Sequence, residues 1–529
     1  MKIKLTSFSF LILFLTVISV ESSFGQIVHD YRIYDQDILR KGTRLLGNSV
    51  TDIRINELNT MWIGTGKGLN STSDNGITFE EYSPDQIDIG FGGISALAVS
   101  GNTIVVATAF DDPDVDESNA TGSGISISTD NGATWLHIDQ PIDSADADFV
   151  IVFGDTISAL PIVVEVDNVT FDAAILDDGT IYITSFAGGA RISTDLGKSW
   201  ERIVLPPDSA DSLTLTSDHN FDLSPVDNSN FNVSGNLNHR PFSVIAWGDT
   251  VYIGTAGGIN RSTDGGLSWY KFNAATRGIT GSWAVAMHRH FWKGKEVILA
   301  ATRPNSPTEL TGVTFSSDGG NSWNSVLPGE KVWNFGSVDS VIYAAADSGL
   351  FKSIDGGLSW ASFPPIHDLI TGSPLYTSTF FTLRGAADGK LWAGTADGLI
   401  FTENNGVDWT LLRATAPVSS SGGVKSYSYP NPFSPARHNT IGGDGHVRFH
   451  YSVDQQSTVT IKIYDFSMTL VTEAVSGVPR SKREWDQDVW NGKNDFGAIV
   501  ANGIYFYKII IDHDSGGSEI LWGKVLVIE

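Results

Sequence analysis

An eight-residue stretch that keeps returning is the strongest constraint on how this chain can fold. In its fullest form it reads Ser262-Thr-Asp-Gly-Gly-Leu-Ser-Trp269, with close copies at 72–79, 128–135, 193–200, 316–323 and 353–360 and a decayed copy at 402–409. Ser, Thr and Asp side chains bond neighbouring backbone N–H groups, and glycine takes a positive φ that other residues reach only at a cost. Each copy therefore predicts a tight hairpin turn, whose closing aromatic starts the next strand and folds back over the hairpin. The expected turn residues are Asp74, Asp130, Asp195, Asp264, Asp318 and Asp355, with Gly76, Gly132, Gly197, Gly266, Gly320, Gly357 and Gly406.

The segments between copies share one grammar: an apolar strand, a polar turn, a strand ending in Gly-Thr or Ala-Thr, and a third strand that runs into the eight-residue turn. The first unit reads Val50-Thr-Asp-Ile-Arg-Ile, Met61-Trp-Ile-Gly-Thr and Gly68-Leu-Asn, and the fourth reads Phe242-Ser-Val-Ile-Ala, Val251-Tyr-Ile-Gly-Thr and Gly258-Ile-Asn. With the strand after the turn, each unit has four antiparallel strands. Asp318 and Asp355 stand 37 residues apart, close to a bare four-stranded unit, and the longer spacings hold insertions. A period of roughly 40–50 residues with four strands per unit is a propeller pattern. Seven units predict an all-β chain with a seven-bladed β-propeller over 26–413.

If the strands of a blade are named A to D from the axis outward, the A–B and C–D turns share one face of the disc. The B–C and D-to-next-A connections share the other. The large insertions, 110–122, 137–170, 206–240 and 303–311, all fall in connections of the second kind. Length variation confined to one face of a repeat protein marks the expected binding face. That face is expected to be acidic, through residues such as Asp111, Asp139, Asp143, Asp155, Asp208 and Asp222.

The pattern S/T-x-D-x-G-x-S/T-W resembles the Asp-box (BNR) repeat of sialidases, sortilin-type receptors, xyloglucanase-type glycosidases and photosystem assembly propellers. The resemblance implies that the box is a structural turn and that any chemistry lies elsewhere. The WIGT-then-GL pattern also resembles blades of two-component-regulator propellers, a WD40/YVTN-like arrangement of the same seven-bladed kind.

Residues 414–425, rich in Ser, Gly and Ala, read as a linker. In the module over 426–529, Val459, Ile461 and Ile463 alternate with Thr460, Lys462 and Tyr464, which predicts a half-buried strand. Tyr429-Pro-Asn-Pro-Phe433, the strand end Ile463-Tyr464-Asp465, the turn Trp490 to Gly497 and Gly503-Ile-Tyr-Phe-Tyr-Lys508 resemble the Ig-like domain of flagellar hook-capping (FlgD-like) proteins. They resemble equally the C-terminal sorting domain of type IX secretion substrates. The resemblance implies a small Ig-like β-sandwich, secretion machinery as a partner, and an address outside or on the outer membrane of a Gram-negative bacterium, reached through the periplasm. Met468 stands where those families have Gly, which predicts a distorted turn; an Ig-like adhesion or stalk module with no sorting role is the alternative.

Residues 1–25 carry Lys2 and Lys4, an apolar run from Phe8 to Val20 and the small-residue pattern Ser23-Phe24-Gly25, the layout of a secretory signal peptide. The run is short of the ~20 residues a spanning helix needs, and no later segment is longer, so no transmembrane segment is expected after cleavage. Cysteine is absent among the 529 residues, which excludes disulfides, thiol nucleophiles and Cys-ligated zinc. A net charge of −26 disfavours nucleic acid and anionic lipid as partners.

Candidates for chemistry are sparse. Asp112, Asp114 and Asp116 begin like a calcium loop, but Glu117 and Ser123 stand where that loop needs Gly and a bidentate Glu. A solvated acidic loop, or at most a looser surface calcium site, is expected there, and no cofactor or other metal. His288 and His290 share a strand face with Trp283 and Trp292 nearby, without a third zinc ligand in the local sequence, and could line a sugar-stacking surface. No P-loop, dinucleotide fingerprint, nucleophile elbow or zinc-protease helix occurs, and a sialidase would need an Arg-Ile-Pro segment that is missing. The expectation is a non-catalytic module that binds glycan or surface protein. The alternative is a hydrolase of neutral polysaccharide acting through paired carboxylates.

Overall fold

The computed structural model describes residues 45–83, 89–111, 120–224, 236–415, 418 and 424–529. Seven antiparallel sheets follow one another from Val50 to Leu412, each built from four consecutive strands in sequence order. The fourth sheet gains a fifth, outermost strand, Ser212–Leu213, from the insertion that precedes it. The first strand of each sheet neighbours the first strands on either side, and the seventh blade returns to the first, which closes a ring of seven blades.

Closure is by packing. Blade one supplies all four of its own strands, Val50–Ile55, Met61–Thr65, Gly68–Thr72 and Glu80–Tyr82. Its Leu45, Val50, Ile53 and Ile63 form one buried cluster with Trp392 and Leu399 of blade seven. Similar clusters fill the wedge between other neighbouring blades, for example Phe315 and Leu299 of blade five against Phe335 and Ala344 of blade six. Each second strand is apolar on both sides because it faces a neighbouring blade on both faces of its sheet; Met61–Thr65 and Leu391–Thr395 are buried throughout.

The recurring turns share one geometry. Ser262 Oγ donates to Asp264 Oδ1 (2.8 Å) and accepts from Gly266 N (2.8 Å), while Asp264 accepts from Ser268 N (2.9 Å) and Ser268 Oγ (2.5 Å). The turn with Asn404 in place of Asp holds the same backbone bonds, from Val407 N (3.1 Å) and Asp408 N (2.9 Å). Glycine is needed twice over at Gly132: φ is 86°, and a Cβ would lie 2.4 Å from the Trp62 ring of the preceding blade.

The C-terminal residues form two facing sheets. One pairs Ser426–Tyr429, Val447–Val453 and Arg483–Trp490; the other pairs Leu470–Arg480, Ser457–Tyr464, Gly503–His513 and Ser518–Val527. Val459, Ile461 and Ile463 are fully buried between them with Phe433, Phe449 and Tyr507, while Thr460, Lys462 and Tyr464 face outward, partly covered. Together with the propeller this is the expected all-β fold: a seven-bladed propeller followed by a small Ig-like sandwich. Met468 adopts φ 64°, and its turn is held by Asp465 accepting from Ser467 N and Thr469 N, both at 2.9 Å.

Candidate ligand-binding face

The strand order assigns every residue of the inner strands to a depth along the axis. An A strand enters at the face that carries the insertions and ends at the face of the recurring turns. All seven A strands slip register at the same depth, between Val50 and Asp52, Ile94 and Ala96, Thr170 and Asp172, Pro241 and Ser243, Ala284 and Ala286, Val332 and Asn334, and Phe380 and Thr382. A β-bulge re-aims the side chains beside it, and here it places a polar residue at the same depth in five of the blades.

These residues tie neighbouring blades together. Asn334 Nδ2 donates to Thr382 Oγ1 (3.3 Å), which donates to Asp52 Oδ1 (3.3 Å); Asp172 accepts from Val244 N (3.0 Å), and Ser243 Oγ donates to Ala284 O (3.1 Å). Asp52, Asp172 and Asn334 each also accept the N–H of the next residue. Arg54 bonds both carboxylates, with Nη1 2.7 Å from Asp52 on its own strand and Nη2 3.5 Å from Asp172 of blade three. Burial raises the Asp172 carboxyl to about 6 despite Arg54, and burial likewise raises Asp52. Burial, then the neighbouring Arg54, lowers Arg384 to about 10; burial followed by Arg384 and His290 lowers His288 to about 3, so its imidazole is neutral. Asp52, Arg54, Asp172 and Arg384 were not singled out from the sequence. The signal that marks the tying residues is a polar third position in strands otherwise apolar at their start.

Aromatic side chains surround the insertion-side mouth of this channel. Phe171, Phe186 and Trp283 are half-buried and converge on buried Phe242, with ring centroids 5.9, 5.7 and 5.8 Å from it. Trp333 continues the arc in blade six, with the Arg303 guanidinium 5.2 Å from its ring centre. The insertions after blades two and three join above blade three. The hairpin Phe149–Val152 and Asp155–Ser158 packs Val150 and Val152 on Ile157, Ala159 and Leu223, and Ser158 bridges to Asp222. Asp143 fastens this cap to the propeller through Arg191 (2.8 Å) and Arg202.

The C-terminal sandwich sits on the same face, at the seam of blades seven and one. Asp397, in the B–C turn of blade seven, bonds Arg413 (2.8 Å) and Arg448 of the sandwich, and Tyr376 Oη donates to Gln487 O (2.9 Å). A cleft of about 250 Å³ opens at this seam, lined by Asn48, Lys67, Tyr427, Tyr429, Tyr507 and Lys524 among others.

Of the candidates named from sequence, Trp283, His288, His290 and Trp292 do not form one site. They are spread along strand Trp283–Trp292, which crosses the disc. Trp283 is at the insertion-side mouth, whereas Trp292 is at the opposite face, against Gly356 of a recurring turn. His288 and His290 stack at 6.4 Å between these ends; His288 Nε2 lies 3.3 Å from Ser337 Oγ, and His290 is buried. Asp112, Asp114 and Asp116 lie outside the described residues, as do the leader 1–25 and most of the linker. Among the described residues no three His, Asp or Glu side chains gather as metal ligands, and no helix is long and apolar enough to cross a membrane.

No family model matches the chain. A xyloglucanase from Paenibacillus is 28% identical over 166 residues, 30% of this chain, and the chain spans 15% of that relative's length. Among solved structures, YCF48 from Cyanidioschyzon merolae is 16% identical over 68% of this chain and 97% of that one, with a TM-score of 0.40. The GH74 xyloglucanase of Xanthomonas campestris is 13% identical over 90% and 73%, with a TM-score of 0.47. PorZ, a surface component of the type-IX secretion system of Porphyromonas gingivalis, is 15% identical over 91% and 66%, with a TM-score of 0.33. These are loose likenesses, and the seven-bladed architecture rests on the chain's own strand pairing.

Proposed function

We propose that the chain is an exported propeller that binds a neutral glycan, without cleaving it, at the aromatic mouth of its insertion-bearing face. Residues 426–529 are proposed to act as its type IX sorting domain in a Gram-negative bacterium. The observation that carries the binding reading is the arc of Phe171, Phe186 and Trp283 around Phe242. Sugar rings stack on such faces, and the acidic insertions around them repel anionic sugars. A matching curated relative is a xyloglucanase. Affinity electrophoresis in gels containing neutral polysaccharides tests this. The whole chain should be retarded, Trp283→Ala should lose about ten-fold in affinity as for a central aromatic contact, and Trp292→Ala on the far face should bind as the parent does. No retardation, or equal retardation of both variants, refutes the reading. Export unaffected by deletion of 426–529 refutes the sorting role.

A second reading, a glycoside hydrolase, is favoured by one observation. Asp52 and Asp172 share Arg54, and Asp172 is raised to about 6, in the range of a general acid. Turnover of a neutral polysaccharide that Asp172→Asn abolishes would establish it over simple binding.

A further inference from the structure

We propose that the outer edge of strand Phe149–Val152 takes up an extended polypeptide of alternating apolar and basic residues, supplied by another protein, as a third strand of the cap hairpin. This surface is separate from the aromatic mouth and goes beyond the glycan reading.

The backbone points the right way. Val152 pairs with Asp155 across a two-residue turn in which Phe153 (φ 51°) and Gly154 (φ 92°) both have positive φ, the type I′ form that matches strand twist. Such a turn closes on a hydrogen-bonded pair, so Val150–Ile157 is bonded, and Phe149–Ser158 and Ile151–Thr156 are the non-bonded pairs. The Ala159 N to Asp148 O bond of 2.9 Å continues that alternation. The N–H and C=O groups of Phe149 and Ile151 therefore point outward. The inner strand's far edge is occupied by the bridge to Asp222 and the Leu223 N to Ser158 O bond (2.8 Å), while no described strand pairs with the outer edge.

The side chains along this edge fit a partner strand. Phe149 and Ile151 are 51% and 64% exposed, on the face away from Val150 and Val152. Open edges are ordinarily guarded by lysine, proline or a bulge, and Phe-Val-Ile-Val has none of these. The edge is also held in place, since Val150 and Val152 pack on a small core and Asp143 is clamped by Arg191 and Arg202. Charge then selects the occupant: residues 137–170 contain seven Asp or Glu and no Lys or Arg. A second copy of the same edge would bring like charges together, whereas lysines or arginines on alternate positions of an incoming strand would meet exposed Asp146 and Asp148 at the start of the edge, Asp143 and Asp155 being already partnered by Arg191, Arg202 and His219.

A fluorescent, end-capped peptide of alternating Val and Lys serves as the probe, measured by anisotropy with the whole chain. Ile151→Pro removes one outward N–H and leaves the inner ladder and the net charge untouched, and Phe149→Ser with Ile151→Ser removes the apolar contacts. Binding is expected, with about a ten-fold loss for Ile151→Pro and for a peptide N-methylated along its ladder edge, as for a lost ladder bond. The amides of Phe149 and Ile151 should gain exchange protection in the complex. Absence of binding, or equal affinity of the N-methylated peptide and of both variants, overturns the proposal and leaves charge attraction alone. Self-association of the chain that Ile151→Pro abolishes also overturns it, in favour of a second copy. Loss of this binding leaves the Trp283-dependent glycan retardation untouched, so the two readings fail independently.

Discussion

Arg448 of the C-terminal sandwich and Asp397 of blade seven form an ion pair inside the protein, with side chains only 4% and 1% exposed. Arg413, from the end of blade seven, bonds the other oxygen of the same carboxylate at 2.8 Å. One propeller carboxylate is thus shared by a cation from each domain.

Removing it takes the direct carboxylate partner from buried Arg448, a change of the kind that costs about 3–5 kcal/mol, while Arg413 keeps Asp486 (3.6 Å) and its bonds to Ser373 and Pro374. Asp397→Ala should therefore release the sandwich from the propeller face before either domain melts. Calorimetry should resolve two transitions, and small-angle scattering should show a larger radius of gyration. A single unshifted transition would mean that the Tyr376–Gln487 and Ser378–Thr440 bonds and the Arg413–Asp486 pair hold the domains together without Asp397.

The recurring turns predict a specific acid response. Bonds from the Ser199 hydroxyl, the Ser199 N–H and the Ser193 hydroxyl hold Asp195 down at about 2, and Asp74 is lowered to about 2 mainly by Thr78. For a carboxylate with a depressed pKa the native state binds fewer protons, so its stabilisation is full above the ordinary value of 3.8 and is lost as pH falls toward 2. Asn404 accepts the same backbone bonds without ionising. Asp195→Asn should consequently lower stability in chemical unfolding above about pH 4, and the gap from the parent should close as pH falls toward 2.

The turn at Met468 stores backbone strain. A side chain at φ 64° is disfavoured, and Met468 is half exposed, so it gains little from packing there. Met468→Gly should raise the stability of the sandwich by about 1 kcal/mol, the usual penalty of a non-glycine in that region, offset in part by the freer unfolded chain. Thermal melting of the whole chain measures it.

The cap should loosen at alkaline pH. His219 Nδ1 lies 2.7 Å from Asp155, Nε2 lies 2.9 Å from Thr214 O, and the ring stacks on Phe153. The Asp155 bond, then the Thr214 carbonyl, raise its pKa, with Asp218 adding in the same sense. A histidine raised in the native state stabilises fully below its ordinary 6.5, and that contribution disappears as pH climbs through the raised value. Hydrogen exchange at Val150 and Val152, corrected for the intrinsic rate, should speed up between pH 6 and 8, and His219→Gln should remove the difference.

Much of the fold was legible because its determinants are local. A turn such as Ser262–Trp269 is specified by side chains within eight residues of one another, and its repetition counts blades and orders strands. Strand order in turn separates the two faces, which is how the insertions were placed on one side. The alternation of Val459, Ile461 and Ile463 is equally local, since a strand between two sheets needs one apolar face.

The candidate site was less legible, because its residues meet only when the ring closes. Asp52, Asp172, Thr382 and Asn334 are far apart in the chain and become neighbours through a shared bulge depth that no short window contains. Trp283 and Trp292 were nearby in sequence, yet a ten-residue strand carries them to opposite faces of the disc. The same holds for the cap and for Asp397 with Arg448. The sequence by itself determined the blades, their turns and the charge of the insertions, all set by contacts within one repeat. Tertiary structure alone decided which carboxylates face the axis, that two separate insertions share one small core, and that the sandwich rests on the face where binding was expected. Those outcomes depend on the angle and spacing at which whole blades pack.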